Sequence, residues 1–509
     1  MATQAELYQP KSGVDLLRLP ILNRIARWRY GRLVLQAPFF IIAVTLVYDG
    51  FTGSDRAAEN LATVVPWVHY RGIIVLVLLL TGNLFCMGCP FTIPRTLAKR
   101  LSRRGRRFPK ILRNKWLAIL MLFLTFFFYE YLDFWESPLM TAWIIVAYFI
   151  ASFALEAFFS ESAFCKYVCP LGTFNFIYSM TSPTQIGAKN PDICRTCVGR
   201  ECVNGSYSPE TVIRIDQIPT ASGEMVEKTV EHGPKGTLGC GTELFVPQIK
   251  SNLDCVMCLD CVRACPHDNV ALFARVPGRE LLQPNSLPKQ WDISFLLISI
   301  TFIGLLNAFG MVDPVVTVMR DISSRLGLTS SGMPDRTVEF ITLGMIFVSC
   351  GLILPFFLSY DAAWLTRTLT NSRSKYSQRD IVAAFAPAFV PIGLGVWIAH
   401  YGYHFLIGAL TIVPVFQNFL IGHGISVLGD PSWTLGGLNS GTVGIMQIVA
   451  LMGGFFWSMM IAQRTALRMF RRDGILALIP WALILLGIAA FGIWIFGLPM
   501  DMRGTVFFA

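Results

Sequence analysis

The run Cys255, Cys258, Cys261 and Cys265-Pro266 places four thiols with two, two and three residues between them. At that spacing three thiolates wrap three corners of an iron–sulfur cubane, while the fourth, redirected by proline, reaches a neighbouring cluster. A zinc knuckle is the plainer alternative, but structural zinc takes paired ligands across a longer spacer. A looser set, Cys194, Cys197 and Cys202, is followed by a long insertion up to Cys240. Exchange of fourth ligands then gives one 4Fe-4S cluster on Cys194, Cys197, Cys202 and Cys265, and a second on Cys255, Cys258, Cys261 and Cys240. No thiol of the eight is left over. A Cys202–Cys240 disulfide is the bland alternative, and a reducing compartment opposes it.

Four further cysteines form two pairs, Cys86 and Cys89 before Pro90, and Cys165 and Cys169 before Pro170. Each pair closes an apolar helical segment, which reads as a faint duplication. Side by side, the four suit a third iron–sulfur cluster, a soft metal such as copper(I), or a redox-active thiol group. Two unlinked pairs of buried cysteines is the competing reading. Cys350, alone in an apolar stretch, reads as core filler.

What positions these thiols is a membrane protein. The 509 residues are 54% hydrophobic and 15% charged, against about 25% charged in an ordinary soluble domain, so a water-soluble enzyme is excluded. The net charge of +10 sits in loops between apolar runs, the signature of membrane topology rather than of nucleic-acid recognition. Spans of roughly 20 residues are expected near 33–49, 63–87, 116–135, 140–160, 292–312, 336–358, 381–405, 441–463 and 475–497. The acid-free basic loop from Arg95 to Lys115 belongs inside, with Arg367–Arg379 and Arg464–Arg472 as further inner loops.

The expected fold is therefore an all-α polytopic protein of about nine spans in the cytoplasmic membrane, with an inserted small α+β two-cluster ferredoxin-like domain. Its parts are a cytoplasmic segment at 1–32 containing an amphipathic stretch, a four-span region at 33–185, the cytoplasmic cluster domain at 186–276, and a five-span region at 277–509. The N-terminus falls inside and the C-terminus outside.

Ionisable groups inside a membrane are costly and mark candidate sites. His69 precedes Cys86 by 17 residues, so a continuous helix would separate them by roughly 25 Å. His400 and His404 share one helix face, and Glu130 closes the third span near the same outer surface. A quinol site, with His69, Glu130 and Tyr70 as its groups, competes with haem b ligation by two of the histidines and with satisfied interfacial side chains.

The paired membrane Cys…Cys-Pro motifs followed by a cytoplasmic two-cluster module resemble the membrane-bound polyferredoxins of periplasmic nitrate reductase, nitrous-oxide reductase maturation and copper-oxidase assembly, over about residues 33–276. The resemblance implies that the module passes electrons between the membrane and a partner enzyme, and that Cys86, Cys89, Cys165 and Cys169 are functional. The expected function is a membrane-anchored electron-transfer subunit linking cytoplasmic 4Fe-4S clusters to a membrane quinone or a redox-protein partner, together with other subunits and no nucleic acid. A copper reduction or assembly factor using the membrane quartet is the alternative.

Overall fold

The computed structural model describes residues 13–95, 98, 106–206, 218–219, 225–226, 237–283 and 286–500. Part of the Arg95–Lys115 loop and the C-terminal residues 501–509, whose side of the membrane was expected to be the outer one, lie outside the described residues.

Seven helices among the described residues are long and apolar enough to cross a membrane: Gly31–Thr52, Leu61–Thr81, Pro138–Phe158, Trp291–Phe309, Asp335–Leu369, Gln378–Ile407 and Ser440–Phe496. The last comprises two helices, Ser440–Phe470 and Gly474–Phe496, joined by a short turn at Arg471–Asp473. Trp116–Tyr131 is a further, shorter apolar helix.

Trp291–Phe309 is the axis of the bundle, buried along its length. Lipid offers no hydrophobic drive for helices to associate, so close packing has to supply it. Glycines permit that approach where Gln378–Ile407 meets Ser440–Phe470. A Cβ on Gly454 would stand 2.6 Å from the Pro391 carbonyl oxygen, and one on Gly395 would stand 2.7 Å from that of Ala450.

Outside the bundle, Thr184–Ala188 pairs antiparallel with Val270–Ala274, Ile186 opposite Leu272. Short helices at Pro191–Thr196, Glu201–Asn204 and Asp260–Ala264 carry or flank the cysteines. Ile186, Val246, Met257, Val262 and Leu272 form a small core of their own.

The segment before the first span is not a free tail from residue 14 on. Ala274 N–H donates to the Val14 carbonyl at 2.8 Å, Leu17 and Ala26 are buried in the core of the cysteine unit, and Arg27 pairs with Asp268. In Pro20–Arg27 the buried Ala26 and the pairing Arg27 meet the unit, while Ile21 is left exposed.

Candidate functional site

The eight cysteines between Cys194 and Cys265 gather into two sets. Cys194, Cys197, Cys202 and Cys265 line one small cavity, closed by Phe245, Val246 and Asn269. Cys240 joins the other set, lying within electrostatic reach of Cys255, Cys258 and Cys261. These are the two quartets expected from ligand exchange, with Cys265 and Cys240 crossing over. All thirteen cysteines are free thiols, so Cys202 and Cys240 form no disulfide, although Cys240 N–H donates to the Cys202 carbonyl at 2.9 Å.

The loops around these thiols turn their amides toward sulfur. Of nine non-glycine residues with positive φ among the described residues, six lie here: Arg200, Glu243, Asp254, Met257, Leu259 and Asp268. Left-handed residues wind successive N–H groups into concave nests suited to negative charge. Asn269 N–H donates to Cys265 Sγ at 3.4 Å and its Nδ2 to Cys194 Sγ at 3.2 Å, while Leu244 N–H donates to Cys240 Sγ at 3.4 Å. Burial pushes the thiols of Cys202 and Cys258 up to about 12, neighbouring thiols adding to the rise at each. Four thiols gathered in one place, part of them buried, ionise together only with a cationic centre among them, and soft thiolate sets of this kind are what iron–sulfur clusters take.

Cys86, Cys89, Cys165 and Cys169 also converge. Cys165 and Cys89 neighbour one another, and Cys169 lies within electrostatic reach of Cys165, Cys89 and Cys86. The duplication extends to the backbone, because Cys89 and Cys169 adopt nearly the same conformation, φ −61°, ψ 120° and φ −67°, ψ 114°, each with proline opening the next helical turn. Extended geometry before proline and proline at the first helical position are the ordinary preferences of both residues. Asn175 Nδ2 donates to Cys86 Sγ at 3.3 Å, and Gly172 N–H to Cys169 Sγ at 3.2 Å.

Two residues that the spacing of cysteines did not reveal bind the quartet to the second set. Asn83 Nδ2 donates to the Cys255 carbonyl at 2.9 Å, and Arg32 pairs with Asp260 at 3.1 Å. Burial would raise the Asp260 carboxyl, but Arg32, Arg263 and Arg95 together hold it below the usual carboxylate range. The signal available in the sequence was the Asn directly inside the repeated segment; Arg32 is one of several arginines near the start of Gly31–Thr52 and carries no signal of its own.

The expected separation of His69 from Cys86 is overturned. The chain does not continue as one helix; it turns at Gly82, φ 77° and ψ −150°, and the short helix Leu84–Gly88 packs back against Arg71–Thr81. Tyr70, beside His69, consequently stacks edge-on to Phe85, beside Cys86, with ring centroids 5.0 Å apart. Tyr70 thus belongs to the quartet's surroundings.

His69 turns its ring nitrogens to the main chain. It sits in a π-helical turn, Val65–Tyr70, with its ring nitrogens 3.2 Å from the Val64 carbonyl and 3.4 Å from that of Ala409. His400 and His404 come off one face of one helix with ring centroids 5.3 Å apart, so the pair cannot approach one iron from its two opposite sides. Glu130 accepts from Asn307 Nδ2 at 2.6 Å. Between these groups lies Arg71, absent from the sequence reading, its guanidinium carbon 4.1 Å from the Tyr129 ring centre, 4.5 Å from Trp67 and 4.9 Å from Tyr401.

Among the described residues, no three His, Cys, Asp or Glu side chains are arranged to hold a single metal ion. No protein-family model, curated protein or solved structure matches the chain.

Proposed function

We propose that the protein is an electron-transfer subunit of the cytoplasmic membrane, relaying electrons between two 4Fe-4S clusters on its inner side and a membrane quinone or a redox-protein partner. The single observation that supports this reading most is the crossing of Cys265 and Cys240 into each other's sets, the ligand exchange of two-cluster ferredoxins. In this reading Cys194, Cys197, Cys202 and Cys265 hold the first cluster, and Cys240, Cys255, Cys258 and Cys261 hold the second. Bound clusters supply one-electron chemistry. The chain's own part is to bury them, aim N–H donors at sulfur and set the distances, which together tune potential.

Nine crossings complete the proposal, counting Trp116–Tyr131 and both halves of Ser440–Phe496, with the basic turns and the cysteine unit inside. The quartet Cys86, Cys89, Cys165 and Cys169 takes a third cluster, one step nearer the bilayer. Anaerobic purification followed by iron and acid-labile sulfide analysis tests the whole. About eight of each, or about twelve with the third cluster, is expected; zinc without sulfide overturns it.

Copper handling by the quartet is the second reading, favoured by its four soft donors. Stoichiometric copper retained by the wild type, and lost from Cys86→Ser with unchanged iron, would select it.

A further inference from the structure

We propose that residues 16–30 form a strap seated in the adjoining leaflet of the membrane, binding anionic phospholipid on its outward side and the cysteine unit on its inward side. The inference is independent of the electron-relay reading.

Between Gly13 and Tyr30 the chain carries four arginines and a single acid, Asp15. Asp15 is engaged by the Leu17 N–H at 3.0 Å, and Arg27 by Asp268. Arg18, Arg24 and Arg29 are left exposed, with no carboxylate paired to them among the described residues. Interleaved with them are large apolar side chains that stand open: Ile21 is 74% exposed, Trp28 50% and Tyr30 46%. Apolar and aromatic side chains gathered beside arginines are the composition of an interfacial segment.

What covers this surface follows from where the chain goes next. Gly31 opens the first span; its N–H donates to the Trp28 carbonyl at 3.0 Å, and Val34 N–H donates to that of Tyr30 at 3.0 Å. Both aromatic residues therefore sit within one turn of the residues that enter the bilayer, and exposed Leu33 and Val34 continue the apolar surface into the span. The combination recurs at the start of two other helices. Lys110 precedes exposed Ile111 ahead of Trp116–Tyr131, and Arg471 and Arg472 precede exposed Ile475 in Gly474–Phe496. Lys115 pairs with Asp254, and Arg468 donates to the Leu282 carbonyl at 3.2 Å, which sets both turns at the end of the bundle that carries the cysteine unit. A soluble anion would meet the arginines and leave Ile21 and Trp28 in water; a neutral lipid would cover the apolar side chains and leave the charges unmatched. An anionic lipid does both.

On the inward side, Leu17 and Ala26 are buried in the core that includes Cys202 and Cys255, and Arg263 Nη1 donates to the Arg29 carbonyl at 3.2 Å. A strap that leaves the leaflet loosens these contacts, so the lipid also bears on the cysteine unit.

The test is hydrogen exchange, read by mass spectrometry, on the full-length protein loaded one copy per nanodisc, so that a second copy cannot cover the strap. Discs of phosphatidylcholine are compared with discs that also contain phosphatidylglycerol. Exchange in residues 16–30 is expected to be slower with phosphatidylglycerol by roughly fivefold or more, the difference shrinking as salt is raised, while Thr184–Ala188 exchanges alike in both. The double variant Arg24→Gln, Arg29→Gln should lose most of that difference; a difference kept in full by the folded variant overturns the assignment. Should the variant not fold, the wild-type comparison decides by itself. Equal rates in the two discs overturn the inference, and so does an equal slowing by free glycerol phosphate added to phosphatidylcholine discs, which would mark a soluble-anion site.

Discussion

Asn83 and Cys255 are 172 residues apart in sequence, yet the Asn83 side-chain amide donates to the Cys255 carbonyl at 2.9 Å. Asn83 is fully buried and lies beside the Cys86 thiol, so one amide touches the Cys86 quartet and the Cys255 set together. Replacing it with leucine leaves the Cys255 carbonyl without a donor, a loss of about 1–3 kcal/mol. Asn83→Leu is expected to lower the thermal midpoint and to shift the redox potentials of two centres in parallel. A shift confined to one centre in a potentiometric titration followed by electron paramagnetic resonance would separate them.

Gly82 makes the reversal that carries Cys86 back toward Tyr70. Its φ of 77° with ψ of −150° lies in a region essentially reserved for glycine, at a cost of about 1–3 kcal/mol for other residues. An added Cβ would also meet Ser182 Oγ and Thr184 Oγ1 at 2.7 Å. Gly82→Ala should therefore disturb the quartet first. Thiol-alkylation mass spectrometry is expected to find Cys86 and Cys89 more reactive than in wild type, with the Cys255 set unchanged.

The crossing of ligands makes an asymmetric prediction. Cys265→Ser should remove about four irons and the signals of the Cys194 set, although Cys265 is continuous in sequence with the other set. Cys240→Ser should do the reverse. Iron analysis of both variants, with spectra assigned by comparison to Cys194→Ser and Cys258→Ser, checks the exchange.

Arg275 and Glu280 form a buried ion pair under the second set, with Glu280 also accepting from Ser251 Oγ at 2.6 Å and Asn252 N–H at 3.1 Å. Burial raises the Glu280 carboxyl while Arg275 opposes the rise. Glu280→Ala strands a buried guanidinium, at a cost of about 3–5 kcal/mol. Loss of iron from the Cys255 set on mild heating, before the Cys194 set, is the expected result.

Asp268 joins the N-terminal segment to the cysteine unit through Arg27, and pairs within the unit with Lys189 at 3.3 Å. Partial burial would raise its carboxyl, but the two cations hold it below the usual range. A depressed carboxylate stabilises the folded state above its unfolded value of about 4, and that contribution disappears as pH falls through the folded value. Both partners are substantially exposed, so the effect is about 1 kcal/mol or less. Hydrogen exchange in residues 14–28 should be flat from neutral pH to about pH 5, after correction for intrinsic rates, and should rise on further acidification. Asp268→Asn should flatten the profile.

How much was legible follows from the physics of each signal. Hydrophobic runs report spans directly, and the Cys255 motif reports itself, since a cluster demands fixed ligand spacing. The partners Cys265 and Cys240 followed from counting thiols. The chain reversal at Gly82 did not, because a glycine after an apolar helix reads equally as a stop. Nor did Arg71: a single arginine near a helix end usually snorkels to water, and only the tertiary fold brings Tyr129, Trp67 and Tyr401 around it. His69 was singled out by its residue type, yet its ring nitrogens face main-chain carbonyls, which no sequence pattern announces.

The helix Trp291–Phe309 has consequences for biogenesis. Wrapped by protein on every side, it enters the bilayer before Gln378–Ile407 and Ser440–Phe496 exist to enclose it, and its buried Ser299, Thr301 and Asn307 must wait in lipid or against a chaperone until those later segments are made. The first 265 residues, with their twelve cysteines, therefore acquire their final packing only when synthesis is nearly over, and a chain cut short after residue 370 would keep its central helix but not the segments that enclose it.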